Sequence, residues 1–368
     1  MPDLIVGSLL SSLRTKLRVL IVLIVVVVLG VLALKFSKAS SPSVTTIAGH
    51  GITKNQALTD GQAIKFKDYG QVFNEAWWNS ALNQKIHADV TESIELPDGR
   101  IAWIFGDTTS VNGQSTVIGS YPHSAIAIQT KGTQNFSVQP GNYGLGWQQV
   151  PNWPDGTYFW MTAPLVEGNY LYVLGSRIQG VAPFTTVGNY IAKFDVNTLS
   201  YLGISTAPST AAGTLWGYAA PTTDGWWVTG THSVDCANST NCRVGDMAFV
   251  PKGGITNPNS WQLHQDVLPA TTNIGTKIAL IQTGSMWQIF TKLGDAYGSN
   301  KILQLTAGSP TANWSTKSQT QIATPAGTIS YAVAIHPEQA SPQGKVLISY
   351  NVNGVQAEYF ARFLYMDL

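Results

Sequence analysis

The sequence predicts an all-β protein, a five-bladed β-propeller preceded by one N-terminal transmembrane helix. Three observations carry that expectation. From about residue 87 onward, one unit recurs five times: a short apolar strand, a tight Gly-bearing turn, and a strand rich in aromatic and β-branched residues. No stretch beyond residue 40 keeps a helical period. A single long apolar run stands near the start, with basic residues before it.

That run, Val19 to Leu34, reads VLIVLIVVVVLGVLAL and contains no charge. As a helix it spans roughly 24 Å, a little under a hydrocarbon core of about 30 Å. Leu17 and Phe36, with Arg18 and Lys35 snorkelling, extend it. Arg14, Lys16 and Arg18 precede it, which keeps residues 1–18 cytoplasmic and makes 19–36 a signal-anchor. The competing reading is a cleaved signal peptide, with Ala39-Ser40-Ser41 as the cleavage site. It is disfavoured by the length of the run, by Lys35-Phe36-Ser37-Lys38 after it, and by Pro42. Residues 37–65 are rich in Ser, Thr, Gly and Lys, lack periodicity, and read as a flexible linker. The expected location is a single-pass cell-membrane protein with residues 66–368 as an extracytoplasmic propeller.

The five copies are TESIEL/IAWIFGD/HSAIAIQ, TAPLV/YLYVLGS/NYIAKFD, YAAPT/WWVTGTH/GDMAFVP, KIALIQ/MWQIFTK/NKILQLT and YAVAIH/KVLISYN/AEYFARF. Their turn glycines, Gly99, Gly168, Gly225, Gly284 and Gly344, are separated by 69, 57, 59 and 60 residues. A repeat of about 60 is close to a four-strand blade. Trp261-Gln-Leu-His and Trp314-Ser-Thr-Lys are candidate fourth strands. Residues 67–73 could close the ring, and a few helical residues near 74–83 would fit before blade one. A two-sheet sandwich explains the alternation equally well, but not five copies at near-constant spacing.

Charged residues make up 11% of the chain, and the net charge is +1. This argues against nucleic acid or a strongly charged partner. Cys236 and Cys242, the only cysteines, suit a disulfide closing a small loop and cannot by themselves make a zinc site. There is no Gly-rich phosphate loop, G-x-S-x-G elbow, H-E-x-x-H or zinc spacing. No cofactor or metal is implied, although a structural Ca2+ on the axis is compatible with the pattern. The protein is expected to be a monomer.

In a propeller hairpin, the start of the first strand and the end of the second meet at one end of the molecule. Asp89 lies nine residues before Asp98, the centre of the first turn, and Asp107 nine residues after it. The two carboxylates should therefore meet at the axial mouth, where paired acids are acid/base equipment. Asp98 itself serves the turn. The positions matching Asp107 are Ser176, Thr231, Lys292 and Asn351, with Arg177 and His232 beside two of them. Trp160, Trp216 and Tyr331 sit near the matching starts of first strands. Aromatic faces beside polar groups suit a polyhydroxy ligand, so Trp160, Arg177, Trp216, His232, Lys292, Tyr331 and Asn351 are candidate ligand-binding residues. Each also has a plainer use, Trp160 and Trp216 in packing between blades, Arg177 and Lys292 as partners of Asp107.

The stretch DVTESIELPDGRIAWIFGDT, Asp89 to Thr108, resembles the first blade of bacterial secreted five-bladed propellers related to glycoside hydrolases, and most nearly endo-D-arabinofuranases. The run LISYNVN from Leu347 resembles their last blade. The resemblance implies that Asp89 and Asp107 are active-site carboxylates and that the substrate is an envelope polysaccharide such as arabinan. Where the family often has Asn-Ser before the next strand, this chain has His123-Ser124. Asp155, Asp235, Asp295 and Glu338 are candidates for a third acid, and none lies at the required offset. The expectation is therefore a membrane-anchored hydrolase of this kind. The alternative is a non-catalytic surface propeller that binds carbohydrate or protein.

Overall fold

The computed structural model describes residues 86–368, apart from 111–121, 133–135, 142, 144–146, 181–183, 237–238, 296–298, 323, 325–326, 340 and 355–359. The anchor, the linker, the closing strand over 67–73 and the helical residues near 74–83 lie outside the described residues. No helix among the described residues is long and apolar enough to cross a membrane.

The described residues form five antiparallel blade sheets and one two-stranded sheet. Blade one opens with β1 (Ile86–Ala88), continues through β2 (Glu92–Glu95), β3 (Arg100–Phe105), β4 (Thr108–Ser110) and β5 (Ala125–Thr130), and ends with β6 (Phe136–Val138). Its sheet runs β2-β3-β5-β6, and β1 pairs with β4 at one end. Blade two holds β7 (Tyr158–Glu167), β8 (Tyr170–Gln179), β9 (Thr185–Asp195) and β10 (Tyr201–Thr206). Blade three holds β11 (Leu215–Pro221), β12 (Gly225–Cys236), β13 (Ser239–Pro251) and β14 (Gln262–Leu268). Blade four holds β15 (Ile274–Thr283), β16 (Met286–Leu293), β17 (Lys301–Ala307) and β18 (Ser315–Gln321). Blade five holds β19 (Ile329–His336), β20 (Lys345–Asn353) and β21 (Phe360–Asp367). The innermost strands β2, β7, β11, β15 and β19 touch in a cycle, the last against the first. That cycle makes the fold a five-bladed β-propeller and excludes the sandwich. Both expected fourth strands form, as β14 and β18.

Apolarity falls from axis to rim, as the packing demands. Strands β3 and β16 are covered by neighbouring blades on both faces and are almost wholly buried. The outermost strands β14 and β18 read QLHQDVL and STKSQTQ and are largely exposed, which blunts a free sheet edge. Four apolar clusters fill the gaps between blades; Trp216 and Trp261 lie in the cluster that joins blades two and three. At the first hairpin, Gly99 takes φ 84° while its N–H bonds to the Leu96 carbonyl at 2.9 Å. Asp98 accepts from the Arg100 amide at 3.0 Å and from its guanidinium at 2.6 Å, the turn role expected of it. The Cys236–Cys242 disulfide forms near the β12–β13 connection.

The axis carries buried charge. Glu92 of β2 pairs with Lys277 of β15, whose ammonium also donates to the Thr162 carbonyl of β7 at 3.2 Å. Burial pushes the Glu92 carboxyl up to about 8, outweighing the lowering effect of Lys277. Ser93 bonds to both His336 and Glu338, across the seam between blades one and five. Burial lifts Glu338 to about 7 and drops His336 to about 3. The same seam carries a Trp103–His336 ring contact at 4.8 Å and a Gln339–Gln129 bond at 3.0 Å.

Candidate functional site

The hairpin of blade one brings Asp89 and Asp107 together. The Asp89 amide donates to the Asp107 carbonyl at 3.1 Å, and the Gly106 amide to the Asp89 carbonyl at 3.0 Å. The Asp107 amide then donates to Asp89 Oδ1 at 3.0 Å. Asp89 is 3% and Asp107 5% exposed. Val90, next to Asp89, has φ 51°, an unfavourable conformation for a β-branched residue. Such strain persists only where surrounding contacts hold it. Here Asn351 supplies them, through bonds to the Ala88 carbonyl at 3.3 Å and the Thr91 hydroxyl at 3.4 Å, and Ser349 bonds to the Thr91 carbonyl at 3.3 Å.

Each acid has its own partner. Tyr331 donates its phenol to Asp89 Oδ2 at 3.1 Å. Asp107 Oδ1 lies 2.7 Å from His123 Nδ1. The His123 ring stacks on Tyr158, with centroids 3.4 Å apart and planes 15° from parallel, and its backbone N–H is held by Gln148 at 3.0 Å. Trp160, on the next blade, lies over Gly106. A Cβ built there would fall 1.9 Å from the Trp160 indole nitrogen and 2.8 Å from Asp89 Oδ1. The indole N–H is buried and has no hydrogen-bond partner, and the ring lies 5.6 Å from the exposed Phe184. A donor without an acceptor beside an acid is what a hydroxylated ligand would satisfy.

The other candidates divide. Strand register pairs Trp160 with Ser176, Leu215 with Thr231 and Tyr331 with Asn351, so these pairs occupy the place that Asp89 and Asp107 hold in blade one. In blade four the ladder shifts between Ile274 and Ile278, beside Lys292. None of these equivalents is a carboxylate. Arg177 binds Asp155 and the Thr157 hydroxyl, and lies over the Trp153 ring at 4.8 Å. It therefore braces the rim of blade two and does not pair with Asp107.

Three expectations are corrected. Trp216 is 2% exposed, its indole bonded to the Pro208 carbonyl at 2.8 Å and packed on Trp261, so it fills an interblade core and offers no open face. Asn351 is fully buried and braces the Asp89 segment. Lys292 is 2% exposed and donates to the Asp295 carbonyl at 2.8 Å; burial lowers its ammonium to about 8. His232 lies elsewhere, against Asp246 and Asp266. Among the third-acid candidates, Asp155 pairs with Arg177 and Asp295 with Arg243, while Glu338 is bonded to Ser93. Sequence reasoning missed two residues: His123 as the partner of Asp107, and Gly106 as the seat of Trp160. The first had a signal in the unusual His123-Ser124 pair; the second shows only once blade two is packed on blade one.

A ring of five sheets with a buried acid pair at one hairpin mouth defines the class: a five-bladed propeller with a candidate carboxylate site on its axis. The chain belongs to a family described as a domain of unknown function (DUF5005), whose model matches residues 71–364. No curated protein matches the sequence. Solved structures share the fold. A Bacteroides ovatus ATCC 8483 protein is 13% identical with a TM-score of 0.55, over 80% of this chain and 88% of that one. A GH43 β-1,3-galactosidase in complex with galactodeoxynojirimycin is 9% identical with a TM-score of 0.52, over 79% and 93%. The exo-β-1,3-galactanase of Phanerochaete chrysosporium, with β-1,3-galactotriose, is 11% identical with a TM-score of 0.51; 79% of this chain is covered but only 62% of the galactanase.

Proposed function

We propose that this protein is a glycoside hydrolase-like propeller, anchored in the membrane by residues 19–36, that acts outside the cytoplasm on a cell-envelope polysaccharide such as arabinan. The observation that carries the reading is the Asp89–Asp107 mouth, closed by Tyr331 from blade five and roofed by the unpartnered indole of Trp160. The sugar-directed enzymes among proteins of like fold support it, as does the resemblance of residues 89–108 to the first blade of arabinan-cleaving propellers.

Hydrolysis needs one group to take a proton from water and another to give one to the departing glycosidic oxygen. Asp89, oriented by the Asp107 amide and Tyr331, is the base that would receive the water proton. Asp107, 2.7 Å from His123 Nδ1, is the partner that would start protonated, give that proton to the leaving oxygen and take one back from water as the cycle closes. Trp160 would bind a ligand hydroxyl through its N–H. The test is release of reducing sugar from arabinan and arabinogalactan by the detergent-solubilised full chain. Asp89→Asn and Asp107→Asn should each lower it by about 10²–10⁴-fold. Undiminished release by Asp107→Asn removes that residue from the mechanism.

A second reading, a non-catalytic glycan-binding propeller, draws on one observation: no carboxylate occupies the equivalents of Asp89 in the other blades among the described residues. Saturable glycan binding without product after prolonged incubation would select it.

A further inference from the structure

A second group of polar side chains gathers on blade three. His232 directly follows Thr231, the counterpart of Asp107, on β12, so it lies towards the same end of the propeller. Its Nδ1 lies 2.7 Å from Asp246 Oδ2. Asp246 is 1% exposed and its acceptors are committed: Oδ2 also takes the Thr214 hydroxyl, and Oδ1 takes the Asp266 amide at 2.9 Å. A carboxylate so committed takes a proton donor from the ring. In the neutral imidazole the Nδ1–H is donated and the lone pair lies on Nε2.

That lone pair faces a second acceptor. His232 Nε2 lies 3.6 Å from Asp266 Oδ1, too far for a hydrogen bond, and the His232 side chain is only 5% exposed. Two acceptors 3.6 Å apart call for a positive charge between them. Two ligands about 2.0–2.2 Å from a tetrahedral ion stand about 3.4 Å apart, near the observed separation. One ligand atom from each of His232, Asp246 and Asp266 falls within 4.8 Å of the others. The Asp266 side chain is 73% exposed, leaving the outer side open to water.

We propose that His232 Nε2 and the Asp266 carboxylate bind a divalent transition-metal ion of the zinc class, with buried Asp246 orienting the imidazole from behind. A nitrogen ligand with a carboxylate suits zinc and its neighbours; calcium and magnesium take oxygen sets. With two protein ligands, the remaining coordination positions belong to water or to an incoming oxygen ligand. The site shares no residue with the Asp89–Asp107 pair, and the proposal does not depend on the function argued above.

The test is equilibrium dialysis of the detergent-solubilised full chain against Zn2+, with Co2+ as an optical probe. The wild-type chain should take up zinc saturably, and excess Ca2+ or Mg2+ should not displace it. His232→Gln and Asp266→Asn should each weaken binding at least about tenfold, and Asp246→Asn about 10–100-fold. His264→Gln should leave it unchanged. Asp266 is exposed, so Asp266→Asn keeps the fold even where Asp246→Asn does not. Absence of saturable uptake by the wild-type chain overturns the proposal, as does full-strength binding by both Asp266→Asn and His232→Gln. Nitrogen-15 spectra showing a doubly protonated His232 that ignores zinc would also overturn it, leaving a plain ion pair.

Discussion

The phenol of Tyr331, on the inner strand of the last blade, donates to the carboxylate of Asp89, at the entrance to the first, at 3.1 Å. One bond thus orients the candidate base and fastens the ends of the ring. Tyr331→Phe should lower the unfolding free energy by about 1.5–3 kcal/mol, the usual range for a bond to a charged group. Urea denaturation should show a lower midpoint with an unchanged slope. An unchanged midpoint would mean that the bond does not hold the seam.

Gly106→Ala places a methyl group against the Trp160 indole and Asp89 Oδ1. The expected destabilisation is about 1–3 kcal/mol, with loss of glycan binding. Trp160→Ala added to Gly106→Ala should recover most of the stability but none of the binding. A double-mutant cycle measures this coupling, and strict additivity would show that the two residues do not press on each other.

Glu338 is ionised above about 4.5 in the unfolded chain, whereas burial raises it to about 7 in the folded one. Between those values the folded state holds the extra proton, so the Glu338 contribution is fullest below pH 4.5 and is lost as the pH rises through 7, while His336, lowered to about 3, acts in the opposite sense below 6.5. Glu92, raised to about 8, acts in the same direction. Glu338→Gln should therefore flatten the decline from pH 5 to 8, and at pH 8 should gain on the order of 1–3 kcal/mol over wild type. Melting curves across that range decide it, and an equally steep decline in the variant would assign the slope to Glu92.

The Cys236–Cys242 bridge closes a loop with a sequence separation of 6. So short a loop contributes at most about 2 kcal/mol. Cys236→Ser should lower the melting temperature by a few degrees and leave glycan binding intact. Loss of the fold would show that the bridge does more than pin this hairpin.

The blades were legible because each repeats the same local grammar: an apolar strand, a turn glycine, then an aromatic strand. The Asp89–Asp107 approach followed from hairpin symmetry alone. What the residues did not reveal was depth. Trp216 and Trp160 stand at similar places in consecutive blades, yet one is sealed in an interblade core and the other keeps an unpartnered indole nitrogen. Asn351 and Lys292 follow apolar strands just as Asp107 does, but Asn351 bonds back to the Ala88 carbonyl and Lys292 to the Asp295 carbonyl. Local pattern places a side chain on a strand, and only the neighbouring blade decides whether it sees solvent.

The partner of Asp89 arrives 242 residues after it in the chain, and the His336 that meets Ser93 arrives 243 residues later. A polypeptide emerging amino end first therefore displays its acidic hairpin long before the strand that completes it. Any chain halted ahead of the fifth blade would carry both aspartates in an unfinished cleft. Ring closure makes the mouth all-or-none: its completion waits for the last-made segment, whatever acidic side chains a shorter copy already carries.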